Sequence, residues 1–173
     1  MTQENIKTKK GFTIIEVVLV LAIAGLIFLM VFVALPALQR SQRDTQRRDD
    51  MARFLSQVTQ YQANNKGGVP KAYGTGESAV SATDAWNEFV TKYLSTTTEK
   101  FADPDGEPYV VGNAAEVSET YGSEALGWDG DKHKIYVYIK AECDGENAKT
   151  SSGSNRIAIR YKLEGAGTYC GNV

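Results

Sequence analysis

Residues 14–35 read IIEVVLVLAIAGLIFLMVFVAL, and Val17 to Leu35 is a run of 19 residues without a charge. That length is enough to cross a bilayer as a helix. A secretory signal has an apolar region of about 7–15 residues and then a small-residue cleavage site. This run is longer, and it passes into a polar stretch that is still helix-compatible. A core helix would be unusual in being apolar on every face beside so small a domain. The run is therefore expected to span a membrane. One carboxylate, Glu16, lies inside its start. At that depth a carboxylate costs up to a few kcal/mol unless it is paired or close to an interface. Glu16 is thus either a functional group or a side chain reaching to the headgroups.

Upstream lies a short basic leader that ends in Lys9-Lys10-Gly11-Phe12-Thr13. A glycine between two lysines and an apolar helix leaves a flexible, unhindered peptide bond at the membrane surface, within reach of a membrane protease. The stretch Lys9-Lys10-Gly11-Phe12-Thr13-Ile14-Ile15-Glu16 resembles the class III signal, or N-methylation motif, of type IV pilins and type II secretion pseudopilins. The resemblance implies that Gly11 is the last leader residue, cut by prepilin peptidase on the cytoplasmic face. Phe12 would become the mature N-terminus and be N-methylated by the same enzyme. Glu16 would pair with the N-terminal amine of a neighbouring subunit during assembly.

The physics of such a cut agrees with that implication. It creates a cationic amine at Phe12, four residues before Glu16. Each charge alone is costly in a filament core, and together they are tolerable. A pair made between subunits also favours correct register, since a misplaced subunit leaves both charges unmatched. Basic residues flank the span on both sides: three lysines in the leader, then Arg40, Arg43, Arg47, Arg48 and Arg53 beyond it. Counting alone would keep the arginine side inside. The cleavage motif and the cysteines of the distal part place the leader inside instead.

After Pro36 the sequence stays helix-compatible to about Asn65. Met51, Phe54, Leu55, Val58 and Tyr61, and in a looser fit Gln62, form one apolar stripe at 3–4 spacing. A continuous helix of about 50 residues is expected, roughly 75 Å at 1.5 Å per residue, with its second half packed on a head. Pro36 removes a backbone hydrogen bond and, with Gly25, marks places where the helix could bend or locally unwind. The block from Arg40 to Asp50 mixes signs. It reads as a solvated helix with i,i+4 pairs or as charges that meet between stacked subunits. The organisation is then a leader over 1–11, a span over 12–35, an amphipathic continuation over 36–65 and a head over 66–173.

Asn64-Asn65-Lys66-Gly67-Gly68-Val69-Pro70 is a helix stop, followed by a Gly/Ser/Thr-rich connection over 67–83. Trp86, Phe89, Val90, Tyr93 and Leu94 then predict an amphipathic helix of about 12 residues, capped by Ser81 or Thr83. Phe101-Ala-Asp103-Pro104-Asp105-Gly106-Glu107-Pro108-Tyr109 is a turn leading to a short strand over 109–112. It is similar to the Asp-Pro-x-Gly-x-Pro-Tyr turn of major pseudopilins and related pilins, and Gly68-Val69-Pro70 weakly matches a Gly-x-x-Pro-like element of the same proteins. Strands are expected over 134–140 and 156–162, where Ile135, Val137, Ile139 and Ile157, Ile159, Tyr161 alternate with wetter residues. Cys143–Asn155 reads as a loop. Cys143 and Cys170 permit one disulfide if this part leaves the cytoplasm, and otherwise stand as two thiols. Such a loop closure would stabilise the fold by roughly 3–4 kcal/mol. The resemblance implies a C-terminal disulfide region that pins the tail to the sheet edge.

From Lys66 onward there are 11 basic and 16 acidic side chains, a net of −5, which argues against general nucleic-acid binding. The single histidine, His133, sits in what reads as an exposed turn, and no phosphate loop, nucleophile elbow or CxxC is present. No enzyme chemistry is expected. Asp103, Asp105 (with Glu107) and Asp129, Asp131 are closely spaced oxygen ligands for calcium, an ion that major pseudopilins hold in a head loop, although aspartate-glycine turns without metal are commoner. The expected fold is α+β, a type IV pilin fold with a long N-terminal helix on a small antiparallel sheet. The resemblance implies a homo-oligomeric filament, extracted from the membrane by an assembly platform protein and an ATPase, with the head outside the cytoplasm. Three readings follow: a type IV pilus subunit for adhesion, twitching or DNA uptake; a major pseudopilin of a type II secretion pseudopilus; or an uncleaved bitopic binding domain.

Overall fold

A computed structural model describes residues 11–72, 80–95, 100–116, 122, 124–165 and 167–173. The leader up to Lys10 and the middle of the Gly/Ser/Thr-rich connection lie outside the described residues. One helix, α1 (Ile14–Asn64), runs through Pro36 without ending there. Contacts divide the chain into two compact units, one up to Gln39 and one from Arg40 to Val173.

In the first unit every large apolar side chain from Ile14 to Leu35 is at least 45% exposed. The helix here satisfies its own backbone, but its large apolar side chains are left uncovered within the unit. In the second unit, Met51, Phe54, Leu55 and Val58 of α1 are buried, and Tyr61 packs against the same cluster. The stripe read from the sequence is the stripe that is covered. α1 ends where Lys66 (φ 54°) and Gly67 (φ 79°) turn left-handed, and the Gly67 N–H donates back to the Gln62 carbonyl at 2.7 Å. This is the six-to-one closure of a Schellman end.

The short helix α2 (Ala82–Phe89) starts on Ser81, whose Oγ accepts the Asp84 N–H at 3.1 Å, and continues into a π-turn over Val90–Leu94. Trp86, Phe89 and Phe54 meet with ring centroids 5.6–6.0 Å apart. Each such aromatic pair adds about 0.5–1.5 kcal/mol beyond the area it buries.

The strands are β1 (Val110–Glu116), β2 (Lys134–Ile139), β3 (Ala141–Asp144), β4 (Asn147–Thr150), β5 (Ile157–Lys162) and β6 (Thr168–Asn172), with a single helical turn, α3 (Trp128–Asp131), before β2. Four of them form a sheet in the order β1-β2-β5-β6, with Val137 opposite Ile159 and Arg160 opposite Cys170.

Three expectations change. The sheet is mixed rather than purely antiparallel, because β1 pairs with β2 in parallel. The long crossover between those two strands makes the parallel pairing possible. Cys143–Asn155 is not simply a loop: it contributes to the hairpin β3–β4, turned at Gly145 with φ 62°. A left-handed first turn residue is where a two-residue hairpin places glycine. That hairpin covers the face of the sheet expected to be wetter, so Tyr138, Ala158 and Arg160 are buried, and Tyr138 and Ala158 pack in a second small core with Ala141 and Ala148.

Candidate functional site

At the start of α1, Gly11 has no heavy atom within 4 Å of where a Cβ would stand, and Phe12 is 90% exposed. Among the described residues nothing crowds the bond between them. Thr13 is the residue before the helix, and its N–H and Oγ1 both donate to Glu16 Oε2, at 2.9 and 2.7 Å. The Glu16 N–H points back to Thr13 Oγ1 at 3.4 Å. This is a capping box, in which a Thr and a Glu three residues on satisfy two of the free N–H groups at a helix start. The Thr-x-x-Glu spacing ahead of an apolar run was readable in the sequence. Glu16 therefore holds its carboxylate back over the helix start, beside the bond that the motif marks.

The block from Arg40 to Asp50 is solvated on one side only, and most of its charges turn to the head. The Arg47 side chain is 1% exposed. Its Nε and Nη2 bond Asp103 Oδ2 and Oδ1 at 2.7 and 2.8 Å, and its Nη1 bonds Asp44 at 2.9 Å and Glu164 at 3.1 Å. The Tyr161 hydroxyl donates to Asp103 at 2.8 Å. Arg43 holds Glu164 with two bonds, at 2.6 and 2.8 Å. Asp44 accepts the backbone N–H groups of Glu164 and Gly165 at 2.9 and 2.8 Å. Gly165 permits this approach, because a Cβ there would stand 2.9 Å from the Asp44 carboxylate. Asp50 accepts the Tyr109 hydroxyl at 3.0 Å.

Burial works most strongly against the Arg47 charge, yet the bonds to Asp103 and Asp44 outweigh it and raise its pKa above the usual value. The hydrogen bonds of Arg43 lower the Glu164 carboxyl to about 2, ahead of the opposing effect of burial. Both groups are held charged. A buried pair of this kind adds little over an apolar pair, but losing one partner strands the other charge.

The calcium candidates separate in space. Asp103, Asp105 and His133 bring ligand atoms within 4.8 Å of one another, and Asp129 and Asp131 are not part of that group. Asp103 is taken by Arg47 and Tyr161. Asp105 is held by Lys132 at 2.7 Å and by His133 Nε2 at 2.8 Å. Those two bonds overcome the effect of burial and keep its carboxyl well below the usual range. Asp131 accepts the Gly127 N–H at 2.7 Å and the Tyr136 hydroxyl at 2.5 Å. Calcium needs free carboxylate and carbonyl oxygens, and here guanidinium and ammonium donors already engage Asp103 and Asp105. His133 also differs from its expected exposed setting: at φ 64° it is half-buried against Asp105.

Cys143 on β3 and Cys170 on β6 form a disulfide with their Cα atoms 5.9 Å apart. Asn172 Oδ1 adds a bond to the Cys143 N–H at 3.2 Å. The bridge ties the hairpin to the tail, which is itself the edge strand β6 of the sheet and not a segment pinned against it.

Compared with known proteins, residues 6–32 match the family model for the prokaryotic N-terminal methylation motif. Nothing among curated proteins or solved structures matches the chain. With that motif leading into an apolar helix from Ile14, and a small mixed-sheet head beyond it, the chain carries the class III prepilin signal of type IV pilins and pseudopilins and has an α+β fold consistent with theirs.

Proposed function

We propose that the chain is the structural subunit of a type IV pilus. In this reading prepilin peptidase cuts after Gly11 and methylates Phe12, and the mature subunit leaves the bilayer to join a filament for adhesion, twitching or DNA uptake. The observation that carries it is the pairing of the motif with a helix whose large apolar side chains from Ile14 to Leu35 are all at least 45% exposed. Apolar surface on that scale must be covered. Lipid covers it before assembly, and the same segments of other subunits cover it afterwards. Within the filament the Glu16 carboxylate meets the new amine of a neighbour's Phe12.

A second reading has one observation in its favour. The turn from Asp103 to Tyr109, similar to that of major pseudopilins, is formed here by an Asp103–Glu107 backbone bond at 2.8 Å and Gly106 at φ 97°. That would make the chain the major pseudopilin of a type II secretion system. The disulfide favours the pilus, since major pseudopilins usually lack one.

Mass spectrometry of the protein from its own cells separates these readings. An N-terminus at methylated Phe12 in a sheared surface fraction supports the pilus. The same processed form confined to the envelope supports the pseudopilin. Intact Met1 species alone would end both, leaving an uncleaved membrane-anchored domain.

A further inference from the structure

Seven charged side chains lie between Arg40 and Asp50, and the head engages five of them. Arg40 reaches Glu164 at 3.8 Å, and Arg43, Asp44, Arg47 and Asp50 are bonded more closely. Arg48 and Asp49 are exposed and form no ion pair or hydrogen bond among the described residues. They are also the only charges at the exposed positions of α1 from Ser41 to Asn64, where Gln42, Thr45, Ala52, Ser56, Gln60 and Ala63 are among the others.

A helix face that only meets water usually carries many charges of both signs. This one carries a single positive and a single negative charge. The two are adjacent in sequence, about 100° apart around the helix axis and about 1.5 Å apart along it, so they do not face each other. Each is free to meet a partner on another molecule. The rest of the head repels copies of itself, with a net charge of −5 from Lys66 onward, whereas the exposed positions of this face sum to zero, the half-buried Arg53 beside them being engaged by the Leu94 carbonyl at 3.5 Å. A filament built by repeating one head-to-tail operation needs two different, complementary patches on every subunit, and one charge of each sign on neighbouring sides of a helix supplies them.

We propose that this face of α1 docks a second copy of the chain, with Arg48 of one copy set against Asp49 of the next. The contact rests on the filament reading and specifies its register. Depletion of charge around a few matched ones is also how interface centres differ from ordinary surface.

The test is the yield of sheared filaments, relative to total subunit, from cells making the full chain. Charge reversal in R48E or D49R puts like charges together and is expected to lower the yield about fivefold or more. The double swap R48D/D49R recreates the pair in reverse and should restore the yield to within about twofold of wild type. Neutral R48Q and D49N should fall between wild type and the reversals. The melting temperature of the head should stay unchanged in all of them, because both side chains are exposed. Wild-type filaments together with single reversals that assemble normally would overturn the contact, as would a swap as poor as its parents. A wild type that makes no filaments would overturn the filament reading itself.

Discussion

The two halves of α1 place their side chains in opposite ways. From Ile14 to Leu35 the apolar residues are exposed, while from Arg40 to Asp50 a charged residue, Arg47, is among the most buried in the molecule. Burial thus follows what each half is made to meet, not its hydropathy. The first half has surroundings the chain does not itself supply. The second half meets the head, whose Asp103 and Glu164 pair with Arg47 and whose Tyr109 hydroxyl donates to Asp50. The contrast implies that the halves can be broken separately.

The largest separation is expected from Glu16→Ala. Filament yield should fall to near nothing, because the neighbour's amine loses its carboxylate, while the melting temperature of the head stays put. Normal assembly of this variant would show the pairing role to be wrong. Arg47→Ala should do the reverse. It strands Asp103 and weakens the hold on Glu164, and should cost the head about 3–5 kcal/mol in denaturant unfolding. A loss under 1 kcal/mol would mean that water replaces the guanidinium freely.

Next in size is the disulfide. Cys143→Ser should cost about 3 kcal/mol, with the hairpin β3–β4 gaining hydrogen exchange before the β2–β5 pair does. The Glu164 pairing should then give a pH signature. Its carboxyl is lowered to about 2 in the fold, so the stabilisation is complete above the unfolded value near 4.5 and is lost as pH falls through the folded one. About 2 kcal/mol should disappear across that acid window, after discounting for the partly exposed Arg43. Glu164→Gln should flatten this part of the profile. Smallest is the effect of calcium: melts with calcium and with chelator should superpose, and a shift of several degrees would mean the ion displaces Lys132 from Asp105.

The parts legible in the sequence were those governed by local pattern. The stripe from Met51 to Tyr61, the stop at Lys66-Gly67 and the cap at Ser81 each depend on residues within one or two helical turns. The buried role of Arg47 was not legible. Its partners Asp103 and Glu164 lie 56 and 117 residues away, and alternating signs on a helix look the same whether water or a folded loop answers them. The hairpin after Cys143 was hidden for a related reason. Asn147, Lys149 and Thr150 are ordinary loop residues by composition, and they become a strand by pairing with β3 over Tyr138 and Ala158. The direction of β1 was also beyond alternation, which has the same period in parallel and antiparallel strands. At the candidate assembly site Gly11, Phe12 and Glu16 fall within the matched motif, and their roles are inferred from it. The Thr13 cap is equally local, since a Thr followed three residues on by a Glu ahead of an apolar run is its signature.

The bonds around Arg47 also have a mechanical consequence. A filament subunit under tension carries load along its helix and must pass it to the head. Between Arg43 and Arg47, contacts from one helical turn reach two distant segments, at Asp103 and at Glu164–Gly165. Bonds side by side share a pull and fail together, whereas bonds in series open one after another. On that geometry, the two segments let go of this helical turn together.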